Sequence, residues 1–300
     1  MKRIRLSIAV VFILALALLL GCGTGNQNNE DSRNEDRNSG SWEQRGRMVK
    51  EVTIDARTAD TVRLDLRFGA ADFRLRPANM GPLVEGQIVY YDHRLVPEIT
   101  DSGNYVKISQ ETKGIVSGLD NYKTEWDLNL STRQVLDLSI SAGAFEGEFD
   151  FSGLQLVNLS MVTGAADGKV TFNKKNPQTM RRFEFSTGAS SFDLSGLLNA
   201  SFKYLNFKGG AGSYTLDFGG SLRQESVQAD ISVGVCDITI VVPRNISTCV
   251  VIKGALTSVS HGPFLVAGSR EYVNEAYNSS RPTLEIIVNM GVGSLNLKES

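Results

Sequence analysis

Seven glycines, Gly69, Gly143, Gly164, Gly188, Gly210, Gly234 and Gly291, are each flanked by the same two runs of alternating apolar residues. Counting outward from each glycine, position −5 holds Leu64, Leu138, Leu159, Phe183, Leu205, Ala229 and Ile286, and position −3 is apolar in all seven copies. Positions −7, −5, −3, +4 and +6 together carry 31 apolar residues in 35 places, where a 41% apolar composition would put about 14. The interleaved positions −6, −4, −2, +5 and +7 carry only four, Val162, Tyr204, Val241 and Ile287. Alternation with a period of two marks a strand with one buried face. Two such runs joined through glycine and repeated make the coil of a solenoid.

The middle glycines are spaced 21, 24, 22 and 24 residues apart, with turn formers such as Ser152-Gly153, Ser195-Gly196 and Gly219-Gly220 between the runs. The expected fold is all-β, a single-stranded β-helix of about 22–24 residues per coil. A degenerate eighth unit centres near Ala255, and the last unit centres on Gly291. Residues 77–134 break the repeat; 85–91, 105–110 and 126–130 read as strands there. Solenoid ends expose unpaired strand edges and need covering. Residues 48–132 are therefore expected to form an N-terminal β capping module, and residues 133–300 the solenoid. Helical patterning is nearly absent, its weak candidates being 196–202 and 270–277. That excludes parallel sheets with helical crossovers and Rossmann-type nucleotide sites.

The first 22 residues read as an export signal. Lys2, Arg3 and Arg5 precede an apolar run over 6–20 that only Ser7 interrupts. This is short for a membrane span, which takes about 20 residues, and suits a secretory signal. Leu19-Leu20-Gly21-Cys22 follows directly and resembles the lipobox of bacterial lipoproteins. The resemblance implies cleavage before Cys22 and acylation of its thiol and new amino terminus. Residues 23–47 read as a disordered polar tether, since 23–41 carry no large apolar side chain. The expected location is the outer side of the cytoplasmic membrane, lipid-anchored, at the cell surface or in the periplasm.

Further along, Pro97-Glu98-Ile99, Val106-Lys107-Ile108-Ser109-Gln110, Trp126-Asp127-Leu128-Asn129-Leu130 and Leu136-Asp137-Leu138-Ser139-Ile140 precede Gly143-Ala144, and Ser186-Thr187-Gly188-Ala189 and Gly210-Ala211-Gly212 come later. Over most of 50–243 the chain resembles the toast-rack family of bacterial envelope lipoproteins. These are relatives of auto-transporter-like adhesins and cell-wall-active antibiotic response proteins. The resemblance implies an envelope β-helix and no known reaction, and it carries over no functional residue.

Candidate chemistry is sparse. With 31 basic and 33 acidic residues the net charge is −2, and no long block of one sign suggests nucleic acid. His93 and His261 belong to no metal-spaced pair. Ser260 and His261 are adjacent, so on a strand they face opposite ways. Residues 209–214 lack the Gly-Lys-Ser/Thr of a phosphate loop. Cys236 falls on the inward parity and Cys249 on the outward, so two free thiols are expected, one of them buried.

A β-helical polysaccharide lyase or hydrolase would use stacked carboxylates. Glu146, Glu148, Asp150, Asp167, Asp193, Asp217 and Asp237 are the candidates, with Asp137, Glu184 and Asp230 on outward strand positions too. They read as scattered surface charge, with no carboxylate row in register across coils.

The expectation is thus a lipid-anchored envelope protein, not an enzyme, presenting a β-solenoid for adhesion, scaffolding or envelope-stress sensing. Its site residue is Cys22 for lipid attachment, with no catalytic, metal or cofactor residues. Expected partners are the membrane through the lipid and an envelope protein or cell-wall glycan. The rival readings are a β-helical carbohydrate-active enzyme and a membrane-tethered regulator of a sensor kinase.

Overall fold

The alternation is realised as strands that bury one face. The computed structural model describes residues 46–110, 124–222 and 225–300, and for 255–257 the backbone alone. Cys22 lies outside the described residues. In chain order the strands are β1 (Met48–Ile54), β2 (Val62–Ala78), β3 (Val84–Tyr90), β4 (Glu98–Ser102), β5 (Tyr105–Gln110), β6 (Thr124–Ser131), β7 (Val135–Asp150), β8 (Gln155–Thr163), β9 (Ala166–Thr171), β10 (Arg182–Ser195), β11 (Tyr204–Asp217), β12 (Val227–Val242), β13 (Thr248–Ser260), β14 (Leu265–Gly268), β15 (Glu271–Val273) and β16 (Leu284–Glu299). Short 3₁₀ turns sit at His93–Leu95 and Leu197–Ala200. Residues 271–273, inside one of the two weak helical candidates, are a strand.

The repeating strands stack in parallel as an all-β solenoid. Neighbours follow the order β2, β7, β8 with β9, β10, β11, β12, β16, β13. Ile140 pairs with Met161, Met161 with Phe185, Phe185 with Phe207 and Phe207 with Ile231. Each of those partners is 21–24 residues from the last. Every long strand folds back at its glycine, so inward side chains of its two arms meet. The Phe185 and Phe192 rings lie 4.9 Å apart and those of Phe207 and Tyr214 5.2 Å apart. An aromatic file runs from Trp126 through Phe68, Phe145, Phe192, Phe185 and Phe207 to Tyr214. Beyond it the core is mainly aliphatic, with Ile231, Ile238, Val288 and Leu295 fully covered. Burying each such side chain contributes about 1.5–3 kcal/mol.

Glycine recurs at the fold because strands approach closely there. A Cβ on Gly188 would stand 2.9 Å from the carbonyl oxygen of Gly164, and one on Gly210 2.7 Å from that of Gly188. The ladder from Gly143 to Gly291 repeats this contact, without left-handed φ at any of its glycines. On the connection side, Asn176 ties three successive coils. Its Oδ1 accepts from the Leu156 amide, while its Nδ2 donates to the Leu156 and Ala200 carbonyls.

Three features depart from the sequence reading. First, residues 77–134 contain a broken coil. β5 pairs with the arm of β2 before its glycine and β6 with the arm after it, both in parallel. Residues 111–123 stand in the sequence where the glycine would be. Beyond β5 and β6, antiparallel β4, β3 and β1 finish this end. Second, the strand order departs from the chain order: β16 lies between β12 and β13. Third, the inward place expected at Val157, Arg181 and Lys203 is taken one residue earlier by Leu156, Met180 and Phe202. Gly147 and Gly168, the other breaks in the apolar pattern, leave room for the rings of Phe145 and Phe192.

Candidate functional site

The outward faces of the two arms carry the chemistry, because the inward faces are closed by packing. On the arms after the glycine, pairing places Glu125, Asp72, Glu146 and Asp167 side by side on successive strands. The row continues as Ser191, Ser213, Asp237 and Ser294. Strands are about 4.7–4.9 Å apart, and like charges directly opposite one another are destabilising. The next outward row compensates: Asp127, Arg74, Glu148, Lys169 and Asp193 alternate in sign. Arg76 adds a 2.7 Å ion pair to Asp127. The two rows line a shallow groove of about 560 Å³.

This corrects the expectation of scattered charge. Four carboxylates do stand in register. Three of them, Asp72, Glu146 and Asp167, hold position +3 from Gly69, Gly143 and Gly164, and only Glu125, on β6 of the broken coil, lies outside that frame. Among the described residues, no three acidic, histidine or cysteine side chains converge closely enough to hold a metal ion.

The remaining acidic candidates serve local roles. Asp150 Oδ1 accepts from the Ser152 amide and Asp217 Oδ1 from the Gly219 amide, both at 2.9 Å, which fixes the turns. Asp237 accepts from the Ser294 hydroxyl, and Asp230 from Tyr204 and Gln228. Glu184 lies 3.6 Å from Arg182. Asp137 pairs in register with Arg63 and Asn158. Asp65 is buried under its own neighbour Arg67, 2.6 Å away; sequence reasoning missed it because its position reads as outward.

Neither histidine sits among acid–base partners. His93 opens an exposed 3₁₀ turn whose Asp92 is held near pKa 2 by hydrogen bonds from Arg94. His261 Nδ1 lies 2.9 Å from the Phe264 carbonyl and its ring packs against Tyr272. Cys236 and Cys249 are free thiols, and both are buried, where one was expected. Cys249 keeps its outward parity but is covered at β15, with Glu271 as its hydrogen-bond acceptor. Burial pushes both thiols up to about 11.

Residues 43–184 match the family described as the N-terminal domain of toast_rack, DUF2154. Over those residues the chain carries a toast-rack N-terminal domain. All four carboxylates of the acidic row lie inside the toast-rack match, whereas β11 to β16 follow it. None of the curated proteins matches. Among solved structures, a candidate cell adhesion protein from Clostridium sporogenes is 22% identical, covering 85% of this chain and all of its own, with a TM-score of 0.47. A candidate adhesin from Bacteroides fragilis is 10% identical over 84% of this chain and 96% of its own, with a TM-score of 0.33. A candidate lipid binding protein from Parabacteroides distasonis is 15% identical over the same shares, with a TM-score of 0.32.

Proposed function

We propose that this toast-rack protein is a lipid-anchored envelope protein that presents its β-solenoid for adhesion, scaffolding or envelope-stress sensing, without catalysis. Cys22 is the anchor in this reading, and the folded part stands outside the cytoplasmic membrane. The observation that carries it is the outward rows: polar and charged groups recur strand after strand along the stack. Such an extended repeated surface suits many weak contacts with an envelope protein or glycan.

The test joins anchoring to capture. Cys22→Ser should release the protein from the membrane and abolish labelling by an alkyne fatty acid. Crosslinking in intact cells should recover an envelope partner with the wild-type chain and not with a chain lacking residues 164–217. Unchanged membrane retention and labelling of Cys22→Ser would overturn the anchor, and identical capture by both chains would overturn the extended surface.

The acidic row favours one rival, a carbohydrate-active enzyme, because carboxylates on neighbouring coils are what such enzymes use. Turnover of a glycan that Glu146→Gln abolishes would replace the first reading with this one.

A further inference from the structure

At the fold of the stack, the residue after the glycine is alanine in the five units from Gly69 to Gly210 and valine in the units of β12 and β16. Those valines, Val235 and Val292, are direct neighbours across the two strands, 63% and 47% exposed. Ala211 continues the row on β11 and is exposed as well. Apolar side chains exposed singly are ordinary, whereas neighbouring ones rimmed by polar groups mark a contact surface.

The slope before the glycine supplies that rim. Pairing aligns Lys208, Ser232, Asn289 and Lys253 on β11, β12, β16 and β13. With strands 4.7–4.9 Å apart, the backbones of the two lysines stand about 14 Å from each other. Both lysines are exposed, and neither has an ion-pair partner among the described residues. A shallow depression of about 550 Å³ runs beside the row, lined by Lys208, Ser232 and Asn289 and by Gly234 and Gly291 of the fold. The acidic row stands toward the other end, on β6, β2, β7 and β9. Asp237 and Asp230, the carboxylates nearest Val235 in sequence, accept hydrogen bonds from Ser294 and from Tyr204 and Gln228.

We infer that this corner docks on an anionic lipid surface, with Val235 and Val292 entering the headgroup layer and Lys208 and Lys253 meeting lipid phosphates. Lysine suits that place, since its long stem lies along apolar surface while the ammonium reaches the charge. Two valines and two lysines make a weak contact alone. The lipid at Cys22 makes it intramolecular, at an effective concentration in the millimolar range. Residues 23–45, between Cys22 and the fold, can span at most about 80 Å. That exceeds the roughly 43 Å of nine strand spacings from β1 to β16. A protein partner fits less well, because β11, β12 and β16 are each paired on both sides and offer no strand edge. The assignment rests on the envelope reading above and adds a second, reversible contact with the same membrane.

The full lipidated chain, incorporated through its own lipid into vesicles, tests it. A nitroxide on Val292→Cys reads depth through collisions with oxygen and with a water-soluble nickel chelate. A nitroxide on Lys174→Cys, exposed on the connection side, is the control, and the buried Cys236 and Cys249 stay unlabelled. In phosphatidylcholine mixed with phosphatidylglycerol, the label at 292 should be shielded from nickel and the label at 174 open to it. Phosphatidylcholine alone should leave both open. Lys208→Gln with Lys253→Gln should weaken docking about thirtyfold, at about fivefold for each lysine near an anionic leaflet. Three results would overturn the inference: equal nickel access at both labels in anionic vesicles, shielding kept by the lysine variant, or shielding that grows with the number of chains per vesicle, as contact between copies would give. Retention on the vesicles reads the anchor separately. A chain retained with an open label at 292 keeps the envelope reading without this contact, and a wild-type chain that washes off loses both.

Discussion

The two ends of the stack solve one problem differently. At the N-terminal end both arms of β2 are paired, one by β5 and one by β6, and antiparallel β4, β3 and β1 lie beyond. The edge strands there carry charge: Glu98 and Asp101 on β4, with Asp101 bridged to Arg57, and Lys50 and Glu51 on β1. At the other end the β15–β14 hairpin covers β13 only over Cys249–Val251. The remainder of β13 pairs with β16 alone, and β14 exposes Leu265 and Val266 at 61% and 62%. Charged edges resist adventitious pairing and bare apolar ones invite it. The aromatic file also ends at Tyr214, leaving mostly aliphatic residues to fill the last coils. A parallel stack therefore needs little from its sequence in the middle and a great deal at its ends.

The largest expected effect tests the N-terminal closure. Trp126→Ala removes a fully buried indole that stacks near Phe68 and Phe73 and donates to Gln110 Oε1 at 3.2 Å. The loss should be about 3–5 kcal/mol, seen as a lowered urea midpoint for the whole transition. A shift confined to a minor early phase would mean this end is not the keystone.

Val273→Ala, in the β15 strand of the C-terminal hairpin, should cost about 1–2 kcal/mol and act locally. Hydrogen exchange should then speed at Val250 and Ile252 while Val106 and Ile108 keep their wild-type rates. Equal acceleration at both ends would erase the contrast.

Alkaline pH should loosen the C-terminal end first. Cys236 and Cys249 titrate near 11 in the folded chain against an ordinary 9.0, mainly through burial, with Asp237 and Glu271 reinforcing it. A raised pKa means stability that is complete below pH 9 and lost as pH rises through about 11. Urea midpoints should fall across that window, and replacing both cysteines by serine should flatten the fall. An unaltered slope in the double variant would show that the thiols contribute nothing.

The smallest effect concerns the bare edge. Leu265→Lys with Val266→Thr should change stability by no more than about 0.5 kcal/mol while reducing concentration-dependent light scattering. Scattering that stays the same would show that β14 is already harmless.

Much of this architecture was legible in the sequence, and the failures have physical causes. Alternation around the glycines located Leu64, Ile140, Phe185, Leu216 and Leu297 in the core because a period of two leaves no other choice once one face is buried. It failed at Arg181 and Lys203, where a strand start can slip by one residue when Met180 and Phe202 offer better burial. Lateral order was not legible: the pattern around Gly291 fits any slot in a parallel stack, so nothing in it says that β16 precedes β13. The acidic row was legible in part, since Asp72, Glu146 and Asp167 share position +3 after Gly69, Gly143 and Gly164, whereas Glu125 joins it only through the placement of β6 beside β2.

The interleaving of β16 has a consequence in time. Residues 248–260 are synthesised before residues 284–299, yet they occupy the outer place in the stack. As the chain emerges, the edge of β12 away from β11 has no correct partner, and β13, the next strand made, carries a pattern close enough to take that vacant edge. The chain must hold that place open, or vacate it, until β16 arrives. The order of the strands therefore keeps the last coils from closing until β16 has been made. An export route that delivers the chain unfolded would relieve that delay by presenting β13 and β16 together.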